Sequence, residues 1–183
     1  MAVLVIVYGA SGTGKSRSLK DFKRGELSCI NVNKKLYPFK ADFASIGTSD
    51  YKTICEAMAK TASPSIAIDD ATYLLTDAFM KSSLEKGYEK FTRMAADFYN
   101  LLQFIINVLP NDKIVYLIGH SQTDANGFES FKTIGHLLDE KVCIEGLSTI
   151  VLKTCVKDGV YTWNINKNNS WRTKSKNSIR FSN

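Results

Sequence analysis

Residues 9–16 read Gly9-Ala10-Ser11-Gly12-Thr13-Gly14-Lys15-Ser16, and this stretch decides the fold. It fits the phosphate-loop pattern G-x-x-x-x-G-K-[ST]. The spacing has a physical cause. Successive backbone N–H groups must wrap a phosphate, and side chains would obstruct that approach. Glycine admits the backbone angles the wrapping requires. Lys15 supplies a mobile point charge for β- and γ-phosphates, and Ser16 a hydroxyl for Mg²⁺. Gly9, Ala10, Ser11, Gly12, Thr13, Gly14, Lys15 and Ser16, with Arg17 directly after them, are the candidate nucleotide-binding residues. The competing reading is a glycine-rich turn that binds nothing.

Working outward, Ala2 to Val7 is an unbroken β-branched and aliphatic run, as a strand buried on both faces should be. Lys15 to Lys23 is expected as a short helix whose positive end faces the same phosphate. Further along, Ile66-Ala67-Ile68-Asp69-Asp70 is an apolar strand ending in two carboxylates. A hard cation wants oxygen ligands, so Asp69 joins Ser16 as the candidate Mg²⁺ site. Asp70 is then placed to orient or deprotonate an attacking water. The alternative is that the pair caps the following helix, and capping and metal binding can coexist.

The run Lys113 to Ile118 is a fourth buried strand ending at Gly119-His120-Ser121-Gln122. A polar residue here can sense a γ-phosphate, which makes His120 a catalytic candidate with Lys15 and Asp70. The competing reading is a histidine satisfied within a turn. His136 is a weaker candidate. Lys132 could reach a neighbouring subunit's nucleotide in a ring or filament, or could be an ordinary solvated lysine.

The rest of the chain organises around these points. Cys29 to Val32 reads as a second strand. Tyr51, Ile54, Cys55 and Met58 follow helical spacing, with Thr48 or Ser49 as cap and Pro64 as the stop. Thr72 to Leu84 and Tyr88 to Leu109 read as helices. The second has an apolar stripe through Phe91, Met94, Phe98, Leu102 and Ile105 that is ordinary core. A polar loop over 121–131 and a short helix near 132–138 follow. Lys157-Asp158-Gly159, between two alternating segments, predicts a hairpin. Alternation of strand and helix up to residue 120 indicates α/β with a mainly parallel sheet flanked by helices and a C-terminal β-hairpin. Its crevice should lie at the C-terminal strand ends.

The chain has 183 residues, 44% of them hydrophobic and 23% charged, which indicates one globular domain and excludes a disordered or collagen-like chain. No apolar run approaches the roughly 18 residues of a membrane span, so no membrane partner is expected. The four cysteines (Cys29, Cys55, Cys143, Cys155) form no C-x-x-C pair. They read as reduced thiols in a cytoplasmic compartment. Net charge is +6, and five of the basic residues (Lys167, Arg172, Lys174, Lys176, Arg180) lie in 167–183 without an acid. The division is therefore 1–166 as the nucleotide-binding domain and 167–183 as a basic tail. With Trp171 and Phe181 among the cations, the tail suits single-stranded nucleic acid, or is a solvated end whose Trp packs back on the sheet.

The order of phosphate loop, I-A-I-D-D strand, long helix and Ile114-Val115-Tyr116-Leu117-Ile118-Gly119-His120 has a familiar counterpart. It continues with Lys132-Thr133-Ile134-Gly135 and a Leu147 to Val156 strand leading into a hairpin at Tyr161. Over roughly residues 3 to 165 the chain resembles the RecA-type P-loop ATPases encoded by bacteriophages, including those linked to single-strand annealing in recombination. The resemblance implies a RecA-like fold, Mg²⁺-dependent binding and hydrolysis of ATP, a homo-oligomer (ring or filament) with nucleotide near the subunit boundary, single-stranded DNA as partner, and the host bacterial cytoplasm as location. It also implies that Gly12, Gly14, Lys15 and Ser16 bind phosphate and Mg²⁺, with Asp69 in the metal site. One departure is plain. RecA proteins place a catalytic glutamate at the end of the strand after the phosphate loop, and Cys29-Ile30-Asn31-Val32-Asn33 has none. Asp70 is left as the stand-in.

Two alternatives compete. A small-molecule P-loop kinase would need an arginine-rich lid, yet Arg17, Arg24, Arg93, Arg172 and Arg180 do not cluster. Strand order separates the two: a RecA-type sheet places a strand, here expected over 113–119, between the two nucleotide-binding strands. The other alternative is a non-hydrolysing, ATP-gated DNA- or protein-binding module.

Overall fold

The computed structural model describes residues 1–135, 138, 141–165 and 178–180. Its centre is β1 (Val3–Gly9), whose residues from Leu4 onward are all buried. A strand covered on both faces cannot alternate apolar and polar side chains, which is why this segment is continuously aliphatic. Around it lie β2 (Leu27–Asn31), β3 (Ala44–Ile46), β4 (Ser65–Asp69), β5 (Ile114–Thr123), β6 (Glu129–Phe131), β7 (Ile150–Lys157), β8 (Val160–Ile165) and β9 (Ser178–Arg180). The sheet order is β3-β2-β4-β5-β1-β7-β8-β9, with β6 paired to β5. Strands β3 through β7 along this path run parallel, and β6, β8 and β9 are antiparallel additions.

As expected, β5 lies between the phosphate-loop strand β1 and the carboxylate strand β4, with Val3 opposite Ile114 and Ile66 opposite Val115. This register brings Gly9 opposite His120. The hairpin at Asp158-Gly159 is also present. Both residues have positive φ, 54° and 73°, as a tight two-residue turn between twisted strands requires.

The helices α1 (Tyr51–Lys60), α2 (Thr72–Lys81) and α3 (Glu89–Asn107) share one core. Ile54, Met58, Leu74, Leu75, Phe98 and Leu102 pack there against Leu4, Ile6, Ile68 and Leu117. The opposite sheet face carries Val5, Val7, Cys29 and Ile118, covered by Leu19 and Phe43 from the connections flanking β2. Pro110 ends the α3 connection, and Asp50, not Thr48 or Ser49, caps α1 by accepting from the Thr53 N–H at 2.8 Å. Thr48 instead accepts the Asp50 N–H at 3.1 Å.

Several expectations are corrected. The helix expected over Lys15 to Lys23 is a single 3₁₀ turn, Ser16–Leu19. Ser18 Oγ donates to the Lys15 carbonyl at 2.6 Å, and Leu19 is the turn's one buried residue, so a side chain competes for the backbone while little packing rewards a longer helix. The expected loop over 121–131 is instead the end of β5, a tight turn and β6. Asp124 Oδ1 shapes the turn by accepting the N–H groups of Asn126 and Phe128 at 2.9 and 2.8 Å. Phe131 then anchors β6 by packing against Phe98, with ring centroids 6.4 Å apart. Part of the basic tail, β9, pairs with β8 through Arg180 opposite Thr162. His136 and the tail residues Lys167, Trp171, Arg172, Lys174, Lys176 and Phe181 lie outside the described residues. Among the described residues no helix is long and apolar enough to cross a membrane.

Candidate functional site

The C-terminal ends of β1, β4, β5 and β2 converge on a cleft of about 400 Å³. Gly9, where the phosphate loop leaves β1, admits no side chain: a Cβ there would collide with Thr154 of β7. Gly12 and Gly14 take φ of +79° and +85°, a region that a side chain strains. The loop is braced from β7. Thr154, 2% exposed, shares a 2.7 Å hydrogen bond with Thr13 Oγ1, which also donates to the Ala10 carbonyl at 2.8 Å.

Lys15 is buried and donates from Nζ to the carbonyls of Gly9 at 2.9 Å and Ala10 at 2.7 Å. The ammonium thus folds back over its own loop, at the mouth of the cradle. Burial lowers its pKa, opposed by the charges of Asp70 and Asp69. Ser16 Oγ donates to Asp69 Oδ1 at 3.0 Å. Asp69 is 4% exposed, and burial pushes its carboxyl up to about 6, against the Ser16 hydrogen bond and aided by the neighbouring Asp70 charge. The Asp70 N–H donates to the same Asp69 oxygen at 3.1 Å, so the buried carboxylate has only neutral hydrogen-bond partners, a state that a hard divalent cation would relieve. The donor set fits Mg²⁺, which typically takes one or two protein oxygens and fills the rest with water and phosphate. Among the described residues no cluster of three or more His, Cys, Asp or Glu could hold a metal by itself.

Asp70 is one peptide further and differs entirely. Its φ is +60°, uncommon for a residue with a side chain. The turn aims its carboxylate away from Asp69 into the cleft. There Oδ2 accepts from Asn33 Nδ2 at 2.9 Å and Lys35 Nζ at 3.1 Å, and Oδ1 lies 3.7 Å from His120 Nε2. Burial lowers the Lys35 pKa, but the hydrogen bond and charge of Asp70 together outweigh it and raise the pKa. The same ammonium sits 5.0 Å from the centre of the Tyr73 ring. Burial and the Lys15 charge lower the His120 pKa, outweighing the attraction of Asp70. Both effects favour the neutral imidazole. It packs edge-on to Tyr73 at 5.7 Å.

All the nucleotide-site candidates except Gly9, Ala10 and Thr13 line this cleft, together with Asp69, Asp70 and His120. Gly9, Ala10 and Thr13 form the loop's supporting side through the contacts above. Arg93 is engaged with Glu85 at 2.6 Å, away from the site. At the end of β2, where a glutamate was looked for, Asn31 braces the next turn instead, donating to the Lys35 carbonyl at 2.6 Å. Sequence reasoning missed Asn33, Lys35, Thr154 and the cleft-lining Tyr161. Their signal is position: Asn33, Lys35 and Thr154 lie on or beyond a strand that neighbours β1 or β4, and Tyr161 lies one strand further out, on β8. The 3₁₀ turn after the loop is too short to present a helix dipole.

No protein-family model matches this chain, and no curated protein matches it significantly. The functional reading therefore rests on the site's own geometry.

Proposed function

We propose that the chain is a Mg²⁺-dependent, RecA-like P-loop ATPase that acts on single-stranded DNA in phage recombination or replication. The observation that carries the nucleotide part is the Ser16–Asp69 hydrogen bond at 3.0 Å beside a glycine-lined loop topped by Lys15. The pair brings a hydroxyl from the end of the loop and a carboxylate from the end of β4 to one place, as a phosphate-bound cation would need. The strand between β1 and β4 favours the RecA-type arrangement over a kinase whose nucleotide strands are direct neighbours.

In this reading the loop N–H groups and Lys15 hold the phosphates and neutralise charge as it develops on them. Mg²⁺, when bound at Ser16 and Asp69, supplies further charge neutralisation on the β- and γ-phosphates. Asp70 accepts a proton from the attacking water, and neutral His120 donates to a γ-phosphate oxygen. The positive balance of the chain and its likeness to the annealing-linked phage proteins support single-stranded DNA and a second copy of the chain as partners, in the cytoplasm of the host.

One observation favours a second reading. Asp70 already has a lysine and an asparagine on one oxygen, which weakens it as a base. A non-hydrolysing ATP switch follows if it stays so engaged. Turnover of ATP with and without single-stranded DNA, by wild type and Lys15→Ala, decides between them. DNA-stimulated turnover that vanishes in Lys15→Ala supports the ATPase. Normal binding with no turnover in either condition removes it.

A further inference from the structure

The β7–β8 hairpin brings an aromatic ring to the phosphate loop. Tyr161 stands just past the tight turn, and a Cβ on Gly14 would come within 2.9 Å of its Cδ1. Its ring lines the same cleft as Gly12, Lys15 and Arg17 and is 37% exposed, which leaves a face open. Sheet order gives the cleft a direction. Asp69, Asp70 and His120 lie on the β5–β4 side of β1, and β7–β8 lie on the other. A triphosphate with its terminal phosphate among the carboxylates extends toward the hairpin. The remaining apolar wall, Leu36 to Pro38, follows β2 and so belongs to the carboxylate side. Its ring is already committed: Tyr37 stacks on Phe39 at 5.3 Å and donates to Cys29 Sγ at 3.0 Å.

We propose that Tyr161 is the platform on which the nucleobase of a bound nucleoside triphosphate stacks. The proposal rests on the nucleotide reading of the loop and deepens it. Stacking uses a π-face that every base carries, so the site holds a base firmly while distinguishing bases weakly.

The test is titration calorimetry of the full chain with Mg²⁺ and ATP, GTP or inorganic tripolyphosphate. Wild type binds ATP about tenfold more tightly than tripolyphosphate, and GTP within about fivefold of ATP. Tyr161→Ala abolishes the ATP advantage but leaves tripolyphosphate affinity in place, and Tyr161→Phe restores the advantage. Equal wild-type affinity for ATP and tripolyphosphate overturns the stacking role while leaving the phosphate loop intact. Loss of tripolyphosphate binding in Tyr161→Ala also overturns it, because the ring then supports the loop instead. So does an ATP advantage that survives Tyr161→Ala but falls in Leu36→Ala, or a hundredfold preference for one base. Wild type that binds neither ligand removes the loop reading itself.

Discussion

Asp69 and Asp70 are the same residue type one peptide apart, yet the fold gives them opposite surroundings. Asp69 is still in strand β4, 4% exposed, and its Oδ1 accepts only neutral donors, the Ser16 hydroxyl and the Asp70 N–H. Asp70 has turned out of the strand at φ +60° and meets Asn33, Lys35 and His120 in the cleft. The buried member lacks a full charge partner, as suits a carboxylate that waits for a cation. The cleft-facing member, itself half-buried, has partners that must yield before it can act on water. Alternation along a strand, with one left-handed residue, thus gives two identical side chains opposite surroundings without changing the chemistry of either.

The largest expected break in this contrast comes from Asp70→Asn. It keeps the shape and the Asn33 neighbourhood but removes the basic oxygen, so kcat falls about 10²–10⁴-fold while ATP affinity, measured by calorimetry, stays close to wild type. Unchanged turnover would assign the base elsewhere. Next, Lys15→Ala removes the buried ammonium common to both carboxylates' field, and ATP affinity drops by roughly a hundredfold. Equal affinity in that variant would mean the nucleotide does not reach the loop. Asp69→Asn sharpens the comparison from the other side. The half-saturating Mg²⁺ concentration for turnover rises about tenfold or more, while urea unfolding at pH 7 shows no loss of stability, since the substitution removes a poorly paired buried charge. A clear loss of stability would make Asp69 a structural acid.

The smallest effect is the pH dependence of stability. With its pKa raised to about 6, folded Asp69 keeps a proton that the unfolded chain has already released. The native state then binds more protons than the unfolded one, so this carboxylate's contribution is present at low pH and is lost as pH rises through about 6. Between pH 5 and 7 wild type should lose about 1 kcal/mol relative to Asp69→Asn. Urea denaturation of both at the two pH values checks the sign, and a gain on raising the pH would contradict the burial of this group.

Much of the site was legible because it obeys local rules. A strand leading into three glycines, a lysine and a serine within eight residues fits the phosphate-loop pattern, and an aliphatic strand ending in two acids has few readings. The Asp-Gly hairpin followed from turn chemistry, whereas the separation of β1 from β4 by β5 was expected only from the resemblance to RecA-type ATPases. The helix expected after the loop was not formed, because propensity over Ser16 to Lys23 had no buried face to reward it beyond Leu19. The polar stretch 121–131 read as a loop, since a hairpin closed by Asp124 and pinned by one phenylalanine leaves little periodicity in so short a run.

By itself the sequence determined the cradle, the two acids and the parallel sheet, since each follows from contacts between residues near in the chain or from hydrophobic burial that any parallel strand needs. Only the tertiary structure decided what surrounds them. Thr154 under Thr13, Tyr161 over Gly14 and Lys35 on Asp70 join residues more than thirty positions apart. Such contacts depend on strand order and register, which no local pattern of side chains encodes.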